Sequence, residues 1–339
     1  SAIAGGGLLL SFRWSDSSAL QSVAEEVNFN SYLSISPDNV ITILSPNPEV
    51  GQNIKTSFPM IVAEELDADW KNVKVVQANL DTQKFNRQAT AGSGAMQHSW
   101  DRLRKAGATA RLMLMEAAAK RWNVSLATLT TENGYIWHKE TGRKLNYGAL
   151  ATEAAAMSVP IDVKFKAKKD YKLIGKPIHN VDNAEMITGK PLYGLDIYRE
   201  GMLLAMIERP PFGTKIKSVD VAAAKAMPGI VDVVIFKEKV AVLGKSTWQV
   251  SKARKLLKVE YEPDGAVEST TDHDRLMKQL LDKTDVKPLR KDGDVEAIFK
   301  TAAKVITREY QAPFLSHACM EPMNFFAHVR SDGVELIGP

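Results

Sequence analysis

The amino-acid sequence predicts an α+β protein built from three successive regions. Short runs of alternating or continuous apolar residues, typical of strands, recur at residues 40–44, 192–197 and 231–236. Helix-like stretches with apolar residues at every third or fourth position separate them, and the longest covers residues 99–122. A long stretch with several lysines and few periodic apolar residues, 158–190, divides the first region from the second.

The first region, residues 28–159, combines strands and helices. A hairpin is predicted at residues 32–44, because two apolar runs flank the turn Ser36-Pro37-Asp38-Asn39. The pattern then predicts a helix over 56–66, a strand over 73–76, the helix over 99–122, a hairpin over 129–145 and a helix over 147–157 capped by Asn146.

Residues 160–190 are predicted to be a linker, and the basic run 164–176 within it is expected to be solvated. The second region, 191–268, alternates strands and helices at the spacing of a small α/β module. The third, 269–339, begins with two helices, continues with strands over 303–310 and 324–329, and stops within a strand pattern. We interpret the chain as a fragment.

Residues 1–27 are predicted to be the remnant of an export signal followed by a polar lead-in. Residues 1–12 are small and apolar, and they contain three adjacent glycines that argue against a buried strand. The apolar run is too short for a membrane-spanning helix, which requires about 20 residues.

Composition excludes several kinds of site. The chain has 44 basic and 40 acidic side chains and a net charge of +4, which gives no reason to expect a nucleic-acid partner. Its single cysteine, Cys319, excludes a cysteine-ligated cluster within this chain. The six histidines lie far apart in the sequence, so no protein-ligated metal site is predicted.

The turn at residues 46–52 is the first candidate site. It follows a predicted strand, precedes a predicted helix and ends in Gly51-Gln52. Glycine lets a ligand approach the backbone, and a glutamine amide both donates and accepts hydrogen bonds. This corner suits the polar edge of a phosphate-bearing cofactor. The alternative is a turn that merely connects two elements.

A second candidate is Gly92-Ser93, in a run of small residues just before the long helix. Bare backbone N–H groups at a helix N-terminus attract an anionic group. The alternative is a flexible cap without a ligand.

Glu321 is the third candidate, since it lies among apolar residues just before a predicted strand. Such a carboxylate can serve proton transfer or bind substrate, with His317 as its partner. The alternatives are a capping or ion-paired glutamate and a packed histidine ring. Cys319 is expected to be a buried packing residue rather than a nucleophile, because no charged residue adjoins it in sequence.

Several motifs together resemble the N-terminal half of the large, molybdopterin-binding subunit of the xanthine dehydrogenase/aldehyde oxidoreductase family, isoquinoline 1-oxidoreductase β-subunit type. They are Glu49-Val50-Gly51-Gln52 with residues 62–70, Gln88-Ala89-Thr90-Ala91-Gly92-Ser93-Gly94 with residues 99–104, residues 174–177, residues 194–203, Ala226-Met227-Pro228-Gly229-Ile230 and residues 317–322. The resemblance implies part of a molybdopterin-binding domain, then an α/β-hammerhead module, then the start of a further molybdopterin-binding region.

The resemblance also implies a reaction and its cofactors. Molybdenum held by molybdopterin, as a dinucleotide, hydroxylates an N-heteroaromatic ring or oxidises an aldehyde with oxygen from water. Electrons leave through a separate small [2Fe–2S] subunit toward an acceptor such as a cytochrome c. Gln52 matches a glutamine that hydrogen-bonds the cofactor, Gly92-Ser93 a loop beside the dinucleotide, and Glu321 a glutamate facing the small-molecule substrate. Relatives of this type commonly carry a twin-arginine export signal, which predicts a periplasmic or periplasm-facing protein.

The chain departs from the family pattern at three positions. Asn53, Ala89 and Ala91 stand where glycines are usual, and each adds a side chain where the backbone approaches the cofactor. The family's catalytic-base glutamate is expected beyond Pro339, so the chain by itself is expected to be inactive.

Two rival interpretations stay open. One is a non-catalytic module that keeps the fold but has lost the cofactor, which the three departures favour. The other is an exported protein that binds an apolar small molecule in a cleft lined by Met202, Met206 and Phe212.

Overall fold

The structure, a computed structural model, describes residues 27–30, 32–191, 193–265 and 267–338. Apart from Val27, the predicted export-signal remnant lies outside these residues. The chain divides into two compact units, Ser1–Asp196 with Met323–Pro339, and Ile197–Pro322. The finer boundaries proposed from the sequence stay predictions.

The described residues form helices and strands in alternation, which confirms the mixed helix and strand class. In chain order, the first unit contains β1 (Val27–Asn30), β2 (Leu33–Ile35), β3 (Ile41–Ser45), α1 (Ile54–Leu66), β4 (Val73–Gln77), α2 (Ala95–Trp122), β5 (Leu129–Glu132), β6 (Tyr135–His138), β7 (Lys144–Asn146), α3 (Ala151–Ala155) and α4 (Asn183–Ile187). The second contains β8 (Leu204–Glu208), β9 (Thr214–Asp220), α5 (Ala222–Lys225), β10 (Ile230–Phe236), β11 (Lys239–Gly244), α6 (Thr247–Arg254), β12 (Lys258–Pro263), α7 (Thr270–Leu281) and α8 (Val295–Thr301). The hairpin of β13 (Phe326–Arg330) and β14 (Gly333–Ile337) returns to the first unit.

The main sheet of the first unit has the strand order β1-β2-β3-β4. Strands β1, β2 and β3 pair antiparallel, whereas β3 and β4 are parallel, so α1 is the crossover helix between them. The carboxyl ends of β3 and β4 therefore lie at the same edge of the sheet, with the loops into α1 and out of β4. This is the edge at which α/β proteins bind ligands.

Helices α1 and α2 cross at very close range. A methyl group added to Gly107 of α2 would lie 2.3 Å from the carbonyl oxygen of Val62 in α1, so no larger residue fits without moving a helix. Around this crossing both helices bury apolar side chains, among them Phe58, Leu103 and Leu114, in the core of the unit. The N-termini of the two helices are thereby fixed relative to each other.

The basic run 164–176 is largely exposed, as its charge predicts, but Lys166 is an exception. The side chain of Lys166 is only 8% exposed, and its Nζ contacts the carboxylates of Glu64 and Asp67. Arg104 of α2 donates to Glu65 at 2.7 Å and to the carbonyl of Lys166 at 2.8 Å. The segment packs on α1 because two buried glutamates there need cationic and N–H partners.

The second unit places a three-stranded antiparallel sheet, in the order β10-β11-β8, against helices α5 and α6. Strands β9 and β12 pair separately, and Ile216 and Val219 of β9 pack on the same core. Helices α7 and α8 contribute no buried residue in the described structure.

Two predicted strands are absent. Residues 193–197 contain the 3₁₀ turn Gly194–Asp196 instead of a strand, Leu192 lies outside the described residues, and residues 303–310 are irregular. The sequence pattern also predicts a short helix over residues 219–226. The structure contains it in shortened form as α5, because strand β9 extends to Asp220. Within the described ranges, no helix combines the length and the apolarity that crossing a bilayer requires.

Candidate functional site

Two loops of the first unit are held together by side-chain hydrogen bonds. One loop, residues 46–53, leads from β3 into α1, and the other, 78–94, leads from β4 into α2. Each connecting bond joins a polar side chain of one loop to a backbone carbonyl of the other. The bonds run from Asn47 Nδ2 to Ala89 (2.9 Å), from Gln88 Nε2 to Pro46 (3.0 Å) and from Thr90 Oγ1 to Pro48 (2.7 Å). The structure thus brings the Gly51-Gln52 loop and the Gly92-Ser93 loop into one site.

Glu49 occupies the N-terminus of α1. Its carboxylate accepts hydrogen bonds from the backbone N–H groups of Gly51 (2.7 Å), Asn53 (3.0 Å) and Lys55 (3.0 Å). The N–H groups of Asn53 and Lys55 belong to the start of α1 and carry the partial positive charge of the helix end, for which a carboxylate is a favourable partner. Sequence patterns predict no role for Glu49 beyond its place in the family motif, although an acidic residue shortly before a helix is a recognisable sequence feature.

Gln52 is exposed, and only the oxygen of its side-chain amide has a hydrogen-bond partner among the described residues. Its Oε1 accepts a hydrogen bond from the backbone N–H of Val50 at 2.9 Å. No partner for its Nε2 exists in the described part of the chain. The side chain therefore offers two N–H donors to a ligand, which must present an acceptor atom.

The three residues that depart from the family pattern, Asn53, Ala89 and Ala91, are compatible with the backbone conformation at their positions. Asn53 has φ 66°, the left-handed conformation that asparagine tolerates best after glycine, and its Oδ1 accepts from Asn180 Nδ2 at 2.6 Å. Ala89 and Ala91 do not have positive φ, so neither backbone position needs glycine. The departures therefore leave the shape of both loops intact.

The N-terminus of α2 differs from that of α1. Gly92 and Ser93 have φ 60° and 54°, and Gly94 precedes the 28-residue helix with no side-chain cap from any described residue. The first turn contains no acidic residue. A methyl group added to Gly94 would lie 3.2 Å from Arg87 Nη1 and 3.0 Å from the His98 ring. Two basic side chains thus flank an uncapped helix end.

Unpartnered polar atoms are buried beside these loops. Asn47 is fully buried and its Oδ1 has no hydrogen-bond partner among the described residues, and the same holds for Nη1 of Arg87. A buried polar group without a partner is costly, so such atoms indicate a missing ligand or water. An arginine N–H, bare helix N–H groups and open glycine positions suit a phosphate-bearing group. The residues present fit a phosphate-bearing cofactor.

The described residues contain no cluster of three or more histidine, cysteine or acidic side chains that could hold a metal ion. Glu321 belongs to the second unit and lies in the irregular segment between α8 and β13. It is half-buried, whereas His317 and Cys319 are exposed, so the expectation of a buried packing cysteine is wrong.

The apolar cleft expected around Met202, Met206 and Phe212 is not formed by these described residues. Met206 packs against the core of the second unit, and Phe212 is 91% exposed. These positions give no support to an apolar binding site.

The family of this chain follows from comparison with known proteins. A model of the molybdopterin cofactor-binding domain family matches residues 7–199, more than half of the chain and nearly all of the first unit. The chain belongs to this family. The resemblance to xanthine dehydrogenase-type large subunits that the motifs predict is confirmed, and so is the molybdopterin cofactor that goes with it.

Three relatives extend over most of the chain. The beta subunit of isoquinoline 1-oxidoreductase from Brevundimonas diminuta is 29% identical over 91% of this chain and 46% of its own length. A nicotinate dehydrogenase subunit from Pseudomonas putida is 29% identical over 86% of this chain and 25% of its own. A membrane-bound aldehyde dehydrogenase [pyrroloquinoline-quinone] of Gluconacetobacter polyoxogenes is 28% identical over 89% and 41%. The chain thus spans less than half the length of each.

Proposed function

We propose that this chain is the first part of the large subunit of a molybdenum hydroxylase that oxidises an N-heteroaromatic or aldehyde substrate. The observation that carries the proposal is the pair of loops at the N-termini of α1 and α2, which are joined by three hydrogen bonds within a molybdopterin cofactor-binding domain. The relatives that match this part of the chain are named as oxidoreductases or dehydrogenases.

The two loops have separate roles in this proposal. Gln52 donates its free amide hydrogens to an acceptor atom of the pterin part, because its oxygen is already engaged by Val50. The N–H groups at the start of α2 bind the phosphates, and Arg87 supplies the neighbouring positive charge. The molybdenum that the pterin brings supplies the oxidation of substrate with oxygen from water.

The proposal is tested by the molybdenum and pterin content of the protein, purified with its partner subunits from a host that makes the cofactor. We expect about one molybdenum and one pterin per chain. Protein that carries neither under conditions in which a known relative is fully loaded would contradict the proposal and favour the non-catalytic alternative.

Gln52→Ala is expected to weaken retention of the cofactor about fivefold, since one hydrogen bond contributes about 1 kcal/mol. Molybdenum content after gel filtration measures this effect. Content equal to that of the unchanged protein would remove Gln52 from the site.

Glu321 is proposed to face the substrate. Glu321→Ala should then lower turnover at least tenfold and leave molybdenum content unchanged. Glu309→Ala, a change at an exposed glutamate of the same unit, is the matched control and should leave both unchanged. Full activity of the Glu321 variant would exclude Glu321 from the pocket.

The remaining parts of the proposal concern the second unit, the partners and the location. The sheet of β8, β10 and β11 with α5 and α6 is proposed to be the hammerhead module.

Two relatives are named as subunits, which supports the presence of partner subunits. We propose a small [2Fe–2S] subunit that passes electrons to a cytochrome c. The apolar residues 1–12 support a periplasmic location, which cell fractionation with an antibody against the chain tests.

A further inference from the structure

We propose that Glu49 is a positioning residue that holds Gln52 in the orientation required to donate to the cofactor. This inference rests on the proposed function, since it assigns Glu49 a role toward the same site. It goes beyond that function because it explains how an exposed glutamine on a loop is ordered before any ligand binds.

The carboxylate of Glu49 fixes the backbone on both sides of Gln52. It accepts from the N–H of Gly51 at 2.7 Å and from the N–H of Asn53 at 3.0 Å, the residues immediately before and after Gln52. Gly51 and Asn53 both have positive φ, at 95° and 66°, so the loop turns sharply at each of them. Without the carboxylate, the glycine in particular would sample many other conformations.

The side chain of Gln52 is held by the loop that Glu49 orders. Its Oε1 accepts from the N–H of Val50 at 2.9 Å, one residue along from Glu49. If the loop opens, Val50 moves and this bond is lost, so the amide no longer has one defined orientation. The free Nε2 hydrogens then have to be ordered when the cofactor binds, which costs affinity.

A carboxylate is specifically suited to this position. Oε1 of Glu49 accepts from the backbone N–H groups of Gly51 and Asn53, whereas Oε2 accepts from the backbone N–H of Lys55 at 3.0 Å. Glutamine at position 49 would have one acceptor oxygen, and its NH₂ group would face the N–H of Lys55. The ammonium group of Lys55 is not a partner of Glu49, since it lies 2.7 Å from Asp182. The charge of Glu49 is therefore balanced by backbone N–H groups at the helix end.

The experiment compares the full chain, purified with its partner subunits, with the variants Glu49→Ala, Glu49→Gln, Gln52→Ala and the double variant. Molybdenum and pterin content after gel filtration is the first measurement. Amide hydrogen exchange of Gly51, Asn53 and Lys55 in cofactor-free protein is the second. Asp69→Ala is the matched control, because Asp69 accepts from the N–H of Lys71 at 3.0 Å and caps a 3₁₀ turn in the same unit.

We expect Glu49→Ala to lower cofactor content by up to about fivefold, the loss expected for Gln52→Ala, since one hydrogen bond contributes about 1 kcal/mol. Glu49→Gln should lie between the unchanged protein and Glu49→Ala, and Glu49→Ala should raise amide exchange at the three positions at least tenfold. Because Glu49 acts through Gln52, the double variant should lose no more than about twofold beyond Gln52→Ala alone. Asp69→Ala should keep full cofactor content.

Three results would overturn the positioning role. They are full cofactor content in Glu49→Ala beside a loss in Gln52→Ala, strictly multiplicative losses in the double variant, and an equal loss in the Asp69 control. If the unchanged protein holds no molybdenum or pterin when a known relative is loaded, the proposed function itself fails, and the role of Glu49 fails with it. The last outcome is thus distinguishable from the first three.

Discussion

The N-termini of α1 and α2 lie in similar sequence contexts, but the backbone N–H groups at the two helix starts have different partners. Both helices begin after a loop that contains glycine, both loops follow parallel strands, and the two loops are hydrogen-bonded to each other. At α1, Glu49 from the preceding loop accepts three backbone N–H groups around the helix start. At α2, no described side chain caps the helix, and Arg87 and His98 lie beside it.

The difference shows where an anionic ligand can bind. The start of α1 already holds a carboxylate, so a phosphate there would meet a negative charge instead of free N–H groups. The start of α2 offers free N–H groups and positive charge. We therefore propose that the phosphates of the cofactor bind at α2 and the hydrogen-bonding edge of the pterin at Gln52, which would give the bound cofactor a direction across the two loops.

The largest expected effect comes from a change at the crossing of the two helices. Gly107→Ala places a methyl group 2.3 Å from the carbonyl oxygen of Val62, so one helix must move. The free energy of unfolding should fall by about 3 kcal/mol, at the upper end for overpacking, as measured by urea denaturation. Cofactor content should fall as well, because both N-termini shift.

The control for this change is Gly333→Ala, since nothing lies within 4 Å of a methyl group added there and the backbone is not left-handed. Equal stability of the Gly107 variant and the unchanged protein would show that the crossing does not set the spacing of the two loops.

A change at the far end of α1 tests whether that helix is held independently of any ligand. The carboxylate of Glu64 contacts Lys166 and accepts from the N–H groups of Lys172, Leu173 and Ile174. Glu64→Gln should lower the free energy of unfolding by about 3 kcal/mol near neutral pH, because it leaves buried donors without a charged partner. Glu153→Gln, at an exposed pair with Arg121, should cost less than about 1 kcal/mol.

The same variant has a predicted pH dependence. Burial by itself raises the pKa of Glu64, but the hydrogen bonds from Lys166, Ile174, Leu173 and Lys172 outweigh it and hold the pKa below its ordinary value of 4.5. The stabilisation is therefore present above pH 4.5 and is lost as the pH falls through the lowered pKa. The difference in stability between the unchanged protein and Glu64→Gln should shrink in that window, and a constant difference down to about pH 2 would contradict it.

The smallest expected effect concerns the charge beside α2. Arg87→Gln should weaken binding of inorganic pyrophosphate about tenfold and reduce its dependence on salt, since a charge-assisted contact is lost. Isothermal titration calorimetry at two salt concentrations measures both. Arg121→Gln, in the last turn of the same helix, is the control. Unchanged affinity in the Arg87 variant would show that Arg87 does not contribute and that the N–H groups at the start of α2 bind the anion by themselves.

The sequence predicted the local parts of this site and missed the parts that depend on distant contacts. Gln52 and Gly92 were found because strand, turn and helix patterns are local. The bonds of Gln88 and Thr90 connect residues 42 positions apart, and they exist because β3 and β4 pair in parallel. Lys166 lies 102 positions from Glu64, so the local pattern could not show that this one lysine of an otherwise exposed basic run pairs with a buried acid.

We propose that the anionic part of the ligand binds at the start of α2 and not at the start of α1. Titration of the isotope-labelled, cofactor-free chain with pyrophosphate, followed by the backbone amide resonances, tests it directly. We predict saturable shifts at residues 92–97 and none at residues 51–55. Shifts at residues 51–55, or an absence of shifts at the start of α2, would contradict the account.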